Sequence, residues 1–165
     1  MMADPTLPAP ILNRIEIVAR VNEERARGSK IILANGCFDI IHAGHIRYLA
    51  GAKELGGFLV VGLNSDGQVN SLKGNGRPFI SERERAEIIA SFRFVDAVTI
   101  FEEPTVNELI DAIRPDIHAK GTDYTTETVP ERDRVRSYGG RVAIVGDPKN
   151  HSSTDLIEAV RGGEK

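Results

Sequence analysis

One stretch of the sequence decides the fold: KIILANGCFDIIHAGH, residues 30–45. It begins with a short apolar run over residues 30–34, turns at Gly36, and enters a helix predicted to begin near Ala43. At such a strand-to-helix junction, backbone N–H groups and the positive end of the helix point at an anion. The stretch therefore predicts a phosphate site in an α/β protein.

Two histidines in this stretch, His42 and His45, are three residues apart and can face the same side of the first helical turn. Gly44 between them leaves room for a phosphate to approach the backbone. Two imidazoles placed there can donate to triphosphate oxygens while a phosphorus atom is attacked. From spacing alone, two capping or surface histidines explain the pattern equally well. A metal pair is disfavoured, because no third ligand has a typical spacing, and no Gly-Lys-Ser/Thr of a P-loop follows the glycine.

Strand and helix patterns alternate along the rest of the chain. The predicted strands are residues 30–34, 58–63, 95–101, 117–119 and 141–145. The predicted helices are residues 11–27, 43–55, one that begins at Ser81, 104–113, 130–138 and 152–160, with a loop at residues 66–79. Buried strands separated by helices predict an α/β fold with a single doubly wound parallel sheet. Such a sheet binds its ligand beyond the carboxyl ends of its strands.

Length and composition predict one ordinary globular domain. The chain has 165 residues, of which 41% are hydrophobic and 27% charged, and its formal net charge is -3. Residues 1–10 contain three prolines and are expected to form a disordered or extended lead-in to a domain at residues 11–165. The negative net charge argues against nucleic-acid binding over the whole surface.

The sequence also indicates in which compartment the protein is expected. No apolar run approaches the roughly 20 residues that span a bilayer, so no membrane insertion is expected. The first ten residues have no cationic flank to a hydrophobic stretch, which a signal peptide needs. The single cysteine, Cys37, excludes an internal disulfide and a multi-cysteine metal site. We therefore expect a cytoplasmic protein.

Three cations follow the second strand. Lys73 and Arg77 lie in a segment with Gly74 and Gly76 that can close over a ligand, and Arg85 lies on the following helix. Arginine can hold a phosphate through two parallel hydrogen bonds. A solvated charged loop explains the same residues without a ligand.

Polar residues also follow the predicted strands. Asp39 fits either a ligand contact or an Asx turn, and Asp66, beside Asn64, fits equally a helix cap or a substrate contact. The sequence Lys-Gly-Thr-Asp-Tyr at residues 120–124 follows another strand. Ser-Ser-Thr at residues 152–154 precedes the last helix, where free N–H groups and hydroxyls bind phosphate or simply cap the helix.

Together these motifs resemble a known family. HAGH at 42–45, VGLNSD at 61–66, LKG and GRP at 72–78, KGTDY at 120–124 and HSST at 151–154 occur in the order found in the HxGH nucleotidyltransferases of the cytidylyltransferase-like branch. Over about residues 30–160 the sequence is most similar to bacterial heptose 1-phosphate adenylyltransferases, the ADP-heptose synthase branch. The resemblance implies a Rossmann-like fold and transfer of AMP from ATP to a heptose 1-phosphate for lipopolysaccharide or another surface glycan.

The resemblance also implies roles for individual residues. The catalytic residues would be His42, His45, Lys73 and Arg85. The ATP-binding residues would be Gly36, Cys37, Phe38, His42, His45, Lys120, Gly121, Asp123, Ser152, Ser153 and Thr154. The substrate-binding residues would be Asp39, Asn64, Asp66, Lys73, Arg77 and Arg85. Mg²⁺ would arrive with ATP and would have no dedicated protein ligands.

Two positions depart from the family pattern: Thr122 stands where relatives commonly carry glycine, and Lys149 stands near a position that often holds arginine. A homodimer and a separate sugar kinase that supplies the substrate are further implications. Two alternatives remain at this stage. The same motifs serve cytidylyltransferases that act on glycerol 3-phosphate or another alcohol phosphate, and a non-catalytic nucleotide-binding regulator could retain them.

Overall fold

A computed structural model describes residues 7–148 and 152–162. The elements, in chain order, are α1 (Arg14–Ala26), β1 (Ile31–Gly36), α2 (Ala43–Glu54), β2 (Phe58–Asn64), α3 (Asp66–Lys73), α4 (Glu82–Ala90), β3 (Ala97–Phe101), α5 (Asn107–Ile113), β4 (Ile117–Lys120), α6 (Arg132–Ser137), β5 (Arg141–Ile144) and α7 (Ser153–Gly162). The predicted alternation of strands and helices is confirmed.

The five strands form one parallel sheet in the order β3-β2-β1-β4-β5. From β1 the chain adds strands in one direction to β3, then crosses back over β1 to β4. The order therefore reverses between β1 and β4, where Leu33 pairs with His118. Crossover connections on the two sides diverge at such a point and leave a crevice above the strand ends.

The sheet is buried on both faces. Every residue of β2 is buried, as are the first four of β1. One face packs against α2 and α4 around Ile32, Leu49 and Ile89. The other packs against α1 and α5 around Leu33, Val21 and Leu109. Within the described part of the chain, no helix combines the length and apolarity needed to cross a membrane.

One predicted loop is wrong in part, because residues 66–73 form helix α3. The Ser65 hydroxyl accepts a hydrogen bond from the Gln68 N–H at 3.3 Å and caps the helix, and Gly74 ends it with φ 90°. Only Val69 of this helix is buried, so its sequence lacks the apolar spacing that marks a helix.

The lead-in is ordered where it meets the domain. The Ala9 N–H donates to the Ala90 carbonyl at 2.8 Å, and the Val98 N–H donates to the Pro10 carbonyl at 3.0 Å. These backbone bonds hold residues 9 and 10 against α4 and β3, and the start of the domain at residue 11 stays a prediction. Residues 1–6 of the predicted disordered lead-in lie outside the described residues.

Candidate active site

A cleft of about 440 Å³ opens above the carboxyl ends of β1 and β4, where the strand order reverses. Its volume is in the range of small-molecule sites. Twelve of the predicted site residues line this one cleft: Gly36, Cys37, Phe38, His42, His45, Lys73, Lys120, Gly121, Asp123, Ser152, Ser153 and Thr154. Segments distant in the sequence therefore meet around a single space.

The two histidines cap the helix that they begin. His42 is the N-cap of α2, and its Nδ1 accepts a hydrogen bond from the Gly44 N–H at 3.1 Å. His45 Nδ1 accepts a longer one, 3.4 Å, from the His42 N–H. Because Nδ1 accepts in each neutral ring, the ring proton lies on Nε2. Capping and phosphate binding are thus compatible, because the cap uses Nδ1 and the ring proton lies on the other nitrogen.

His45 is held neutral at physiological pH. Burial lowers its pKa to about 4, with help from the charges of His42 and Lys73. The His42 and His45 rings stack with centroids 3.9 Å apart. A neutral imidazole donates one hydrogen bond from Nε2 without bringing a buried charge.

Phe38 supports this arrangement from below. Its ring meets the His45 ring edge-on at 5.2 Å between centroids, and its side chain is 3% exposed. Phe38 has φ 49°, an uncommon conformation for a non-glycine residue, so the turn is closely constrained. A Cβ on Gly36 would lie 3.2 Å from the Phe38 ring, which explains the glycine there.

Two lysines stand on different sides of the cleft. Lys73, the last residue of α3, is exposed beside the histidines. Lys120, at the end of β4, has its Nζ 3.6 Å from Glu131 Oε2 and 4.6 Å from the centre of the Tyr124 ring. The ring and the carboxylate therefore fix the direction of Lys120, whereas Lys73 sits at the end of a short helix.

A second helix begins at the cleft, opposite α2. The Ser152 hydroxyl accepts from the Asp155 N–H at 3.0 Å and so acts as the N-cap of α7. The Ser153 hydroxyl donates to the Ile40 carbonyl, which joins α7 to the β1–α2 turn. The positive ends of two helices, α2 and α7, therefore border one space. Lys149 lies outside the described residues, so its predicted role stays a prediction.

Thr122, where the family commonly has glycine, ties two walls of the cleft together. Its hydroxyl donates to the Asp147 carbonyl at 2.7 Å, and the Asp147 carboxylate pairs with Arg47 of α2 at 3.1 Å. Thr122 does not have a positive φ. A β-branched residue therefore fits this backbone without strain.

Arg85 does not reach the cleft. Its guanidinium is fully buried and donates to the carbonyls of Ile80 at 3.0 Å, Cys37 at 2.6 Å and Asn64 at 2.9 Å, and to Asp66 Oδ1 at 2.7 Å. These bonds use four of its five N–H donors, and the remaining one, on Nη2, is buried with the rest of the side chain. The catalytic contact of Arg85 stays a prediction, and the geometry favours a positioning role, because the carbonyls of Cys37 and Asn64 at the ends of β1 and β2 accept both Nη1 donors.

Asp39 and Arg77 also bind each other rather than facing the cleft. Arg77 Nε donates to Asp39 Oδ2 at 2.5 Å, and the N–H groups of Phe79 and Ile80 donate to Oδ1. Burial raises the pKa of Asp39, but these hydrogen bonds outweigh it and lower the pKa below its ordinary value. With Asn64 and Asp66, which also do not line the cleft, these predicted substrate-binding residues form its supporting wall.

Sequence reasoning missed several residues that line the cleft: Asn35, Arg47, Tyr48, Tyr124, Gly146 and Asp147. Asn35 had a usable signal, since it is a polar residue at the end of an apolar strand. Tyr48 had none, because it occupies an ordinary position of a helix. Among the described residues, no group of three or more His, Cys, Asp or Glu side chains is placed to hold a metal ion.

The fold is an α/β domain with one parallel sheet, and its cleft lies at a strand-to-helix turn. Residues 33–159 match the family model described as cytidylyltransferase-like. The chain belongs to the cytidylyltransferase-like family.

Curated relatives are longer proteins. The chain is 51% identical over 150 residues to the bifunctional protein HldE of Pelobacter propionicus and 46% identical over 161 residues to that of Geotalea uraniireducens. These alignments cover 91% and 98% of this chain but 31% and 33% of the relatives. The chain therefore spans about a third of the length of the curated relatives it matches.

Solved structures share the fold. A lipopolysaccharide core biosynthesis protein from Thermoplasma volcanium superposes with a TM-score of 0.62 at 27% identity, covering 74% of this chain and all of that one. A pantoate-beta-alanine ligase from Francisella tularensis superposes with a TM-score of 0.59 over 93% of this chain and 77% of that one. At 14% identity, the second likeness concerns the fold alone.

Replacing Arg85 tests its positioning role. Arg85→Leu should lower the free energy of unfolding by about 3 kcal/mol or more, because buried carbonyls lose their donor. The matched control is Arg83→Leu on the same helix, whose side chain is 88% exposed and pairs with Glu87. It should change stability by less than about 0.5 kcal/mol. Urea unfolding measures both. Equal stability of the two variants, with a raised KM for a phosphate substrate only in Arg85→Leu, would instead support direct phosphate contact.

The buried histidines predict how stability depends on pH. Burial lowers the pKa of His45 to about 4 and that of His118 to about 3, whereas an unfolded histidine titrates near 6.5. Below about pH 6.5 the unfolded chain therefore binds more protons, so stability is full above that pH and is lost as the pH falls. Each histidine should contribute a slope approaching 1.4 kcal/mol per pH unit between about pH 6 and 4. Urea unfolding of the wild type and His118→Leu at each pH measures this, and identical slopes would contradict it.

Proposed function

We propose that this chain transfers AMP from ATP to a heptose 1-phosphate and releases pyrophosphate. The observation that carries the proposal is the capped turn at residues 42–45, which presents two Nε2–H donors at the positive end of α2. That geometry suits the oxygens of a triphosphate. A non-catalytic regulator has no need for both donors at the reacting end of the nucleotide.

The chemistry is an in-line displacement. An ionised phosphate oxygen of the sugar phosphate forms a bond to the α-phosphorus of ATP, and the bond from that phosphorus to the bridging oxygen of the β-phosphate breaks. The electron pair leaves with pyrophosphate. Since the nucleophile is already an anion, no strong general base is required, and catalysis consists of positioning and charge stabilisation.

The cleft supplies the charge stabilisation. His42 and His45 would donate to phosphate oxygens, and Lys73 beside them would offset the repulsion between the triphosphate and the incoming sugar phosphate. Lys120, Gly121 and Asp123 would border the ribose and base, and the start of α7 with Ser152, Ser153 and Thr154 would bind from the other side.

Magnesium would enter as part of the nucleotide substrate. Mg²⁺ prefers oxygen ligands and keeps several waters. Phosphate oxygens of the nucleotide, together with these waters, can therefore supply most of its ligands. Asp123 and Asp147 line the cleft, and Asp147 is paired with Arg47. These carboxylates fit an outer contact to the hydrated ion better than a direct one.

Sequence likeness supports the sugar. The relatives called bifunctional protein HldE and the lipopolysaccharide core biosynthesis protein agree with the resemblance of the motifs to heptose 1-phosphate adenylyltransferases. We further propose that a separate sugar kinase supplies the heptose 1-phosphate, that the protein acts as a homodimer and that it works in the cytoplasm.

A substrate-pair assay tests the reaction. Pyrophosphate release should be fastest with ATP and heptose 1-phosphate among the four combinations of ATP or CTP with heptose 1-phosphate or glycerol 3-phosphate. The two combinations with CTP are included because the matching family model is described as cytidylyltransferase-like. If CTP with glycerol 3-phosphate is the only productive pair, the chain is a cytidylyltransferase and the proposal fails. Release from no pair favours the non-catalytic regulator.

The role of the histidines is tested with the productive pair. His45→Ala should lower kcat by roughly a hundredfold or more, as loss of one preorganised donor does. His45→Gln keeps an N–H donor of similar reach and should lose less. The control Ile46→Ala alters the next residue of α2, which is 42% exposed and does not line the cleft, and should keep its rate. An unchanged rate in His45→Ala would remove the catalytic assignment.

A further inference from the structure

A polar pair lies beneath the cleft and has no part in the reaction described so far. His118 Nε2 of β4 is 2.8 Å from Asn35 Oδ1 at the end of β1. The His118 side chain is fully buried, and its neighbours along the strand, Ile117 and Ala119, belong to the apolar core. Burying an imidazole in a central strand costs free energy unless its polar atoms are used.

The surroundings of His118 fix which atom carries its proton. Its Nδ1 is buried and has no hydrogen-bond partner among the described residues. If Nε2 carries the proton, it donates to Asn35 Oδ1, and only a lone pair on Nδ1 is unpartnered. The opposite tautomer would bury an N–H group without an acceptor, which is rarer in proteins. Burial and the charge of Lys120 lower the pKa of His118 to about 3, so the ring is neutral.

This tautomer fixes the amide of Asn35. With Oδ1 bonded to His118, the Nδ2 amino group is turned away from it, and Asn35 lines the cleft. The backbone of Asn35 is held as well: its N–H lies 3.4 Å from the Tyr48 hydroxyl, which donates to the Ala119 carbonyl at 2.8 Å. The cleft therefore receives a fixed hydrogen-bond donor at this point.

We propose that Asn35 is a further nucleotide-binding residue and that His118 is its positioning residue. Asn35 lies between the turn that would bind the triphosphate and the segment 120–124 that would border the ribose. Its amino group donates to an acceptor oxygen of ATP where the phosphates join the ribose. The inference rests on the proposed function, because that function makes ATP the ligand of the cleft.

Four variants test the pair. Titration calorimetry with Mg-ATP measures Kd, and pyrophosphate release measures kcat and both KM values. Asn35→Ala and His118→Leu should each raise Kd and KM for ATP by roughly five- to tenfold, the effect of one neutral hydrogen bond, with little change in kcat or in KM for the sugar phosphate. His118→Gln, which can return a donor to Asn35, should restore much of the affinity. In the double variant, His118→Leu should add nothing to Asn35→Ala, because His118 acts through Asn35.

Thr99→Val is the matched control for altering a buried polar residue. Thr99 of β3 is fully buried, its hydroxyl has no partner among the described residues, and it does not line the cleft. This variant should bind ATP like the wild type. Circular dichroism and thermal melting confirm that each variant is folded; if His118→Leu is not, His118→Gln and Asn35→Ala carry the comparison.

Several results would overturn the inference. An unchanged Kd for ATP in Asn35→Ala removes the nucleotide contact, and an unchanged Kd in His118→Leu removes the positioning role. Additive effects in the double variant, or an effect confined to the KM of the sugar phosphate, also contradict it. Failure of the proposed function gives a distinguishable result. The wild type itself would then bind no ATP, or would bind ATP and release no pyrophosphate, and Asn35→Ala would behave in the same way.

Discussion

The arrangement of the cleft depends on the buried guanidinium of Arg85. Four acceptors from four segments converge on it: the turn after β1, the end of β2, the start of α3 and the residue before Ser81. Parallel strands end with outward-pointing carbonyls that have no strand partner beyond the sheet. A single planar cation satisfies several of them at once and so fixes the spacing of the segments that carry the site.

The turn at residues 42–45 has two roles, capping α2 and binding phosphate, which the sequence analysis treated as alternatives. The histidines cap α2 through Nδ1, and the same bonds place the proton on Nε2. A structural role and a binding role therefore do not compete at His42 and His45. Burial keeps His45 neutral, so the site can offer a donor without first removing a charged ring from water. The same logic applies to Asn35 at the end of β1, whose amide is bonded to the neutral imidazole of His118 on β4, across the switch point.

The sequence was sufficient to predict one parallel α/β sheet and twelve of the residues that line the cleft. Apolar runs and short polar connections predict a parallel sheet, and a parallel sheet places its ligand above the strand ends, so Gly36, Lys120 and Ser153 could be grouped in advance. What it could not provide was the direction of each side chain. Arg85 looked like a phosphate ligand because charge is visible in a sequence and burial is not. Helix α3 was missed because only one of its residues, Val69, is buried, so the sequence has no apolar spacing that marks a helix. Its start is fixed by the Ser65 cap.

The hydroxyl of Thr122 is another group whose contact cannot be predicted from the sequence. The departure from glycine is evident in the sequence, but its bond to the Asp147 carbonyl joins residues 25 apart and needs the folded chain to be recognised. The contact of His118 with Asn35 joins residues 83 apart and is equally invisible in the sequence.

The central claim is that His42 and the neutral His45 donate from Nε2 to the triphosphate. Imidazole ¹H–¹⁵N NMR of the protein, recorded as a pH titration with and without Mg-ATP, tests it most directly. Without nucleotide, His45 should show the Nε2–H tautomer and titrate near pH 4. Mg-ATP should shift the Nε2 resonances of both rings and raise the pKa of His45, because the phosphates favour the protonated ring. A His45 that titrates near 6.5 in the free protein, or rings whose resonances ignore saturating Mg-ATP, would contradict the account.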